Sequence, residues 1–434
     1  MQHIDKIQES LNYIEENLQV EFGVEELADM AGYSLFHYYR VFQKLVGLPV
    51  MQYITRRKLL HAVYEIANGR KVIEVALDYG FETNAGFYKA FQREFQCSPS
   101  EYVMMHAVKH PYKIKLIQEE HIMLNYKKLK EVLTQWNMQE EPVTDFYYAG
   151  SGERSDCEWN VGASHVIKVS ANIVRLEQHI KITKALASAG FGVALPVKTL
   201  QGQDYYKEGE LCYCIEKKLE GKPIESSSFY ADNPEFSARY LGEVLGQLDN
   251  LLATFEEEMV CNEPDWLESI RNWALPKVKE IAGLSEDFCK SYVEAFTDLY
   301  PYLPRQIIHR NPCPNNFVGG KDRVLGITDF ELSEKNIRIF DACYMTTSIL
   351  SENFKSSVEE TEKWFGIFRD ILTGYDSVVK LTEEEKKAVP HVVLGIQFNC
   401  IAYFSDYEKF RELAETNLAM LEWLLANREQ LDVF

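Results

Sequence analysis

The 434-residue chain has no run approaching the ~18 apolar residues that a membrane-spanning helix needs. Its start, MQHIDKIQES, lacks both the basic residues and the apolar centre of a secretion signal, so a cytoplasmic protein with no membrane partner is expected. No GxxxxGK[ST] loop occurs, which excludes a P-loop nucleotide site. The nine cysteines are scattered, and Cys212-Tyr-Cys214 has no second pair to complete a four-ligand metal site. Reduced thiols are expected, several of them buried. Positive charge is also scarce, with 46 Lys/Arg against 66 Asp/Glu, a balance that argues against nucleic acid. The imbalance is local, however. Residues 1–115 hold 13 Lys/Arg and 14 Asp/Glu, which leaves 33 against 52 for the remainder. The near-neutral first part retains enough cations for one basic face.

The sequence does hold a repeat. Ala28-Asp-Met-Ala-Gly32-Tyr33 returns 48 positions later as Ala76-Leu-Asp-Tyr-Gly80-Phe81. Tyr38-Tyr-Arg-Val-Phe-Gln43 returns as Phe87-Tyr-Lys-Ala-Phe-Gln92, now offset by 49, so the second turn is one residue longer. Each unit reads as helix, tight turn, helix. Val24, Leu27, Ala28 and Ala31 have helical spacing, Gly32 permits the turn, and Ser34 can cap the next helix; Thr83 is the corresponding cap in the second unit. A small Ala where two helices cross and a Gly in the turn are the requirements of a helix-turn-helix. Between the units, residues 49–68 form one apolar-patterned helix carrying Arg56-Arg57-Lys58.

Over residues 8–108 this arrangement, with the closing FQREFQCSPSEY at 91–102, resembles the double helix-turn-helix domain of the AraC/XylS transcriptional regulators. The resemblance implies that the second helix of each unit enters the major groove, the two reading grooves about 34 Å apart on one face of DNA. The positions carried over are Phe36, Tyr39 and Arg40 in one helix and Asn84, Ala85 and Lys89 in the other. Arg40 suits guanine, Asn84 adenine, and Phe36 and Ala85 the thymine methyl. Arg56 and Arg57 are expected to hold phosphate or to stand in solvent.

From residue 142 the pattern changes to strands. Residues 145–152, DFYYAGSG, read as a turn-rich hairpin carrying Gly150 and Gly152, and 165–170, HVIKVS, as a strand with Lys168 at its centre. Glu177, on the helix that follows, is placed to pair with Lys168. Leu211–Lys222 reads as a strand entering a hinge. Then come Ile307–Phe317, IIHRNPCPNNF, and Ile327-Thr-Asp-Phe-Glu331. In order and spacing the series over about 142–425 resembles the aminoglycoside phosphotransferase and choline kinase group of the protein-kinase-like fold.

In that group the loop runs His-Gly-Asp, four residues, Asn; here it is His309-Arg310-Asn311, Pro-Cys-Pro-Asn, Asn316. The resemblance assigns Asn316 and Asp329 to metal, Asp341 to support of the loop, and the base position to Asn311. An amide accepts no proton near neutral pH, and loss of general-base help costs ~10² to 10⁴ in rate. ATP or another nucleotide with Mg²⁺ remains a candidate cofactor, because Lys168, Asn316 and Asp329 supply a cation and oxygen donors.

The fold class expected is multidomain: an all-α double helix-turn-helix domain over 1–110, a linker over 111–141, and an α+β two-lobed protein-kinase-like domain over 142–434. Its small lobe spans about 142–217 and its large lobe about 218–434. The function expected is promoter recognition with the kinase-like part sensing a small-molecule effector. That effector is cationic if Trp266, Trp273, Trp364 and Tyr403 line an acidic pocket; the plainer alternative is that they are core. RNA polymerase and a second copy of the chain are the candidate onward partners. The competing expectation is an active kinase for an aminoglycoside-like or amino-alcohol substrate that also regulates transcription, and a third is a scaffold binding neither.

Overall fold

The computed structural model describes residues 2–105, 108–114, 116, 124, 126–148, 154–232, 234–255, 259, 261–354 and 358–434. The chain divides into two compact units. One is Met1–Tyr148, Gly152–Ile173 and Pro196–Lys217; the other takes Val174–Leu195 and Lys218–Phe434.

The first unit opens with α1 (Gln2–Glu16), α2 (Val24–Met30), α3 (Leu35–Val46), α4 (Val50–Ala67), α5 (Val72–Asp78), α6 (Asn84–Phe95) and α7 (Pro99–Met105). The repeat is structural. Gly32 and Gly80 both take positive φ, and in both turns the following aromatic N–H closes onto the buried Ala, Tyr33 to Ala28 and Phe81 to Ala76, each at 2.9 Å. Gly is required there because a side chain disfavours that left-handed backbone. Ser34 caps α3 by accepting from the N–H of His37, and Thr83 caps α6 by accepting from Gly86. The extra residue of the second turn thus lies between Gly80 and its cap. Tyr38 and Phe42 fill one half of the core and Phe87 and Phe91 the other, all fully buried. Each such side chain contributes roughly 1.5 to 3 kcal/mol of burial.

Helix α4 connects the halves. Its 18 residues give a rod about 27 Å long, at about 1.5 Å per residue. Beyond α7, residues 108–114 and Leu116 form a strap against α1. The Gln8 amide donates to the Ile114 carbonyl and accepts from the Leu116 N–H, both at 2.7 Å, and Ile114 is buried in the same core.

The unit continues with α8 (Tyr126–Leu133) and a five-stranded antiparallel sheet, β1 (Val143–Tyr147), β2 (Arg154–Val161), β3 (His165–Ser170), β4 (Tyr206–Glu208) and β5 (Leu211–Lys217), in the order β1-β2-β3-β5-β4. Helix α8 lies against this sheet: Leu129, Val132, Leu133 and Trp136 share a core with Trp159, Ile167 and Tyr213. Part of the expected linker is therefore an element of the small lobe.

The second unit starts from α9 (Ile173–Ser188). Sequence pattern puts this helix in the small lobe, but Ile182 and Leu186 belong to the large core, and Gln178 donates to the carbonyl of Ser333. Then follow β6 (Lys222–Pro223), α10 (Ala238–Thr254), α11 (Trp266–Ser269), α12 (Leu275–Ala282), α13 (Glu286–Leu299), β7 (Arg305–Ile308), β8 (Phe317–Gly319), β9 (Val324–Ile327) and β10 (Glu334–Ile337). The chain ends in α14 (Ile339–Asn353), α15 (Val358–Val379), α16 (Glu383–Phe404) and α17 (Arg411–Ala426). Antiparallel pairs β7/β10 and β6-β8-β9 bracket the loop 309–316 from both sides. Among the described residues no helix is long and apolar enough to cross a membrane.

Candidate functional site

Helices α3 and α6 are amphipathic in the way a groove-reading helix must be: aromatics go inward and the opposite face is left to solvent. Phe36 is 80% exposed, and Tyr39, Arg40, Asn84, Ala85 and Lys89 are exposed as well. All six base-facing candidates thus lie on accessible faces of the two equivalent helices. An exposed phenylalanine at that level has no role in this domain's own core.

Arg56 and Arg57 are placed differently. They are only 5% and 3% exposed. Arg56 pairs with Glu94 of α6 at 3.3 Å. Arg57 forks onto Glu15 of α1 at 2.5 and 2.8 Å and donates to the Tyr112 carbonyl of the strap at 2.7 Å. The expectation that these two hold phosphate is corrected here: a guanidinium enclosed with a carboxylate is a structural tie. Burial pushes the Glu15 carboxyl upward, but hydrogen bonds from His61 and Arg57 outweigh it and hold it down to about 2.

In the second unit the loop after β7 is tightly built. The Asp341 carboxylate, fully buried, accepts the N–H of His309 at 2.7 Å and of Arg310 at 2.9 Å. The His309 ring donates from Nε2 to the Thr328 carbonyl at 3.0 Å and accepts the Asn311 N–H at Nδ1. Burial lowers its pKa to about 4, so the ring is neutral and its tautomer is fixed by these two partners. Arg310 has φ +76°, which explains the glycine of the related loops. Its side chain turns inward: Nε reaches Glu334 at 2.8 Å and the guanidinium lies 4.3 Å from the Phe340 ring centre.

Asn311 and Asn316 stand across the loop from each other, the Asn316 amide donating to the Asn311 carbonyl at 2.8 Å. That bond uses the nitrogen and leaves Oδ1. Thr328 donates its N–H and its hydroxyl to the Asn316 carbonyl, so Asp329 follows directly on a residue bound to Asn316. Asp329 has φ +70°, a left-handed turn at the end of the strand. Two oxygen donors of this kind fit Mg²⁺, which takes few protein ligands and fills its remaining positions with phosphate and water. Among the described residues no group of three His, Cys, Asp or Glu side chains could enclose a metal. Cys313 is a half-buried thiol that desolvation and the Glu352 and Asp329 charges push up to about 12, away from the thiolate a nucleophile needs.

Lys168 sits on β3 directly opposite Glu158 of β2, with which it pairs at 3.2 Å; Glu216 is 3.9 Å away. Glu177 is half-buried on α9. Gly150 and Gly152 lie outside the described residues. Of the aromatics offered as a cage, Trp266 and Trp364 are core, the Trp364 indole donating to the Thr346 carbonyl at 2.8 Å, whereas Trp273 and Tyr403 are exposed.

Residues 27–105 match the family described as a helix-turn-helix domain, and residues 168–371 match the phosphotransferase enzyme family. The transcriptional activator AarP of Providencia stuartii is 38% identical over 97 residues, which cover 22% of this chain and 72% of that protein. The regulatory protein SoxS of Salmonella typhimurium is 30% identical over 103 residues, 24% of this chain and 96% of that protein. The chain belongs to the AraC-type helix-turn-helix regulators. Behind its AraC-type domain the fold is that of a phosphotransferase. The GDP complex of aminoglycoside 2'-phosphotransferase-IIIa is similar with a TM-score of 0.54 and 16% identity, covering 70% of this chain and 100% of that one. Amicoumacin kinase hAmiN, in complex with AMP-PNP, Ca²⁺ and Ami, gives 0.50 and 13%, with 68% and 92% covered.

Sequence reasoning missed three participants in this AraC-type protein. Gln8 had no signal, because a glutamine that clamps a backbone 106 residues away has no local pattern. Glu334, which holds Arg310, and Asp145, which anchors a polar cluster in the small lobe, are single acids whose partners only the fold brings near.

Proposed function

We propose that this AraC-type protein is a cytoplasmic transcriptional regulator that reads promoter DNA with Phe36, Tyr39, Arg40, Asn84, Ala85 and Lys89. Its phosphotransferase-like domain senses a small molecule and carries impaired chemistry. One observation supports the second clause above all: Asn311 holds the base position in a loop whose anchors, His309, Asp341 and Asn316, are otherwise in place. Such a loop retains a binding shape and loses the group that accepts a substrate hydroxyl's proton.

Nucleotide is the effector class proposed, because Lys168 and Glu177 match the phosphate-holding positions of the related phosphotransferases and Asn316 and Asp329 their Mg²⁺-holding positions. When bound, the ion would neutralise phosphate charge. The related phosphotransferase is described with GDP and the related kinase with AMP-PNP, which supports a purine nucleotide. The excess of acids beyond residue 115 favours a cationic second ligand. RNA polymerase and pairing with a second copy are the onward partners of such a regulator.

The same intact anchors favour a second reading, an active phosphotransferase for an amino sugar or amino alcohol. The two are separated by incubating the protein with MgATP or MgGTP and a panel of hydroxyl-bearing cations and measuring nucleoside diphosphate. Trace release supports the sensor; sustained turnover abolished by Asp329→Ala overturns it.

A further inference from the structure

Within the first unit, a buried polar cluster spans the boundary between the DNA-reading helices and the small lobe. On the lobe's side it is centred on Asp145 of β1. Asp145 pairs with Arg154 of β2 at 3.3 Å, accepts from the Tyr126 hydroxyl of α8 at 2.9 Å, and its carbonyl accepts from Asn160 at 2.7 Å. A β-bulge falls between Asp145 and Tyr147. A bulge re-aims the side chains beside it, and here Tyr147 meets the phenol of Tyr102 on α7. Arg56 of α4, paired with Glu94 of α6, completes the cluster: its charge acts on both Tyr102 and Tyr126. Arg56, Tyr102, Asp145 and Arg154 are all largely removed from solvent. Buried charges are satisfied by few geometries, so this cluster favours one register of the boundary over others.

The three helices involved are the ones that set DNA reading. Helix α4 is the rod between the two reading units, α6 is a reading helix, and α7 packs on both. We infer that strands β1 and β2 of the small lobe are the docking surface that fixes the pitch of the two reading helices, so that ligand binding in the kinase-like domain alters DNA affinity through Asp145, Tyr147 and Arg154. This inference rests on the regulator reading given above and names its route of regulation. A ligand acts only by binding one register of the boundary better than another, and DNA then changes ligand affinity by the same factor.

The test uses the full chain. Amide exchange is compared between the wild type, Asp145→Asn and the conservative Tyr147→Phe. Faster exchange in α7 and α4 as well as in β1 and β2 is expected; acceleration confined to the strands overturns the inference. Both variants should also weaken binding to a duplex selected by the wild type from a random pool, by about fivefold or more, the lower end of typical allosteric effects. Unchanged affinity overturns it. MgATP and MgGTP are then added separately. A nucleotide that raises the melting temperature should shift the wild-type Kd for that duplex by a similar factor, and a rise in melting temperature with no shift in Kd also overturns it. If neither nucleotide raises the melting temperature, nucleotide sensing fails while the exchange comparison still decides the docking surface; if no duplex is selected, the DNA reading fails.

Discussion

The side chain of Asn316 is tied to the backbone oxygen of Asn311, at 2.8 Å, so the loop is held by the main chain at position 311 whatever side chain stands there. The Asn311 N–H likewise ends on the His309 ring, and the Asp341 carboxylate takes the two N–H groups before it. Substitution at 311 is therefore expected to change chemistry without changing shape.

Asn311→Asp should keep the melting temperature of the large unit within a degree or two and, with MgATP or MgGTP and an acceptor from the cation panel, raise diphosphate release by about 10² or more. A variant that binds nucleotide and gives no rise would move the cause of impairment elsewhere in the loop.

At the DNA surface, Arg40→Ala and Asn84→Ala should each cost about 1 to 3 kcal/mol of specific binding and relax preference at one base pair. Gel-shift titration against single-base variants of a selected duplex reads both effects. Affinity should also fall steeply between about 50 and 200 mM salt as phosphate contacts release counterions.

Arg57→Ala should behave quite differently. Its guanidinium is buried on Glu15 and on the strap carbonyl, so its loss should destabilise the first domain by about 3 to 5 kcal/mol. The slope of log Kd against log salt should be the same as in the wild type, measured at a temperature where both are folded. A slope reduced by about one would return Arg57 to the phosphate-contacting set.

The same pair predicts acid sensitivity. Glu15 stays ionised down to about 2 in the folded domain, below the roughly 4.3 of an unfolded glutamate. Its contribution is present above the unfolded value and is lost as pH falls toward the folded one, on the order of 3 kcal/mol in all. Amide exchange in α1 and α4 should accelerate across that window, and Glu15→Gln, less stable at neutral pH, should show a flatter dependence.

Local chemistry was legible where it repeats. The paired Ala-Gly-aromatic turns, the caps Ser34 and Thr83 and the inward aromatics are consequences of nearest-neighbour geometry, and the sequence displays them twice. His309, Asn316, Asp329 and Asp341 were named through the resemblance to the phosphotransferase loop, and the backbone bonds that tie His309, Asn316 and Asp341 together give a physical reason for fixed spacings there. Arg56 and Arg57 could not be read as structural, since a basic run on an amphipathic rod looks the same whether its partners are phosphates or the distant Glu94 and Glu15. Trp266 and Trp364 posed the same difficulty: an aromatic on a helix carries no mark of which side the core lies.

The Gln8 clamp also bears on where this domain can be cut. A fragment ended at residue 110, the boundary that motif spacing suggests, would discard Ile114 and leave α1 with an uncovered apolar stripe and the Gln8 amide without its backbone partners. Expression trials and protease mapping should find the shortest well-behaved piece to end at or beyond residue 116.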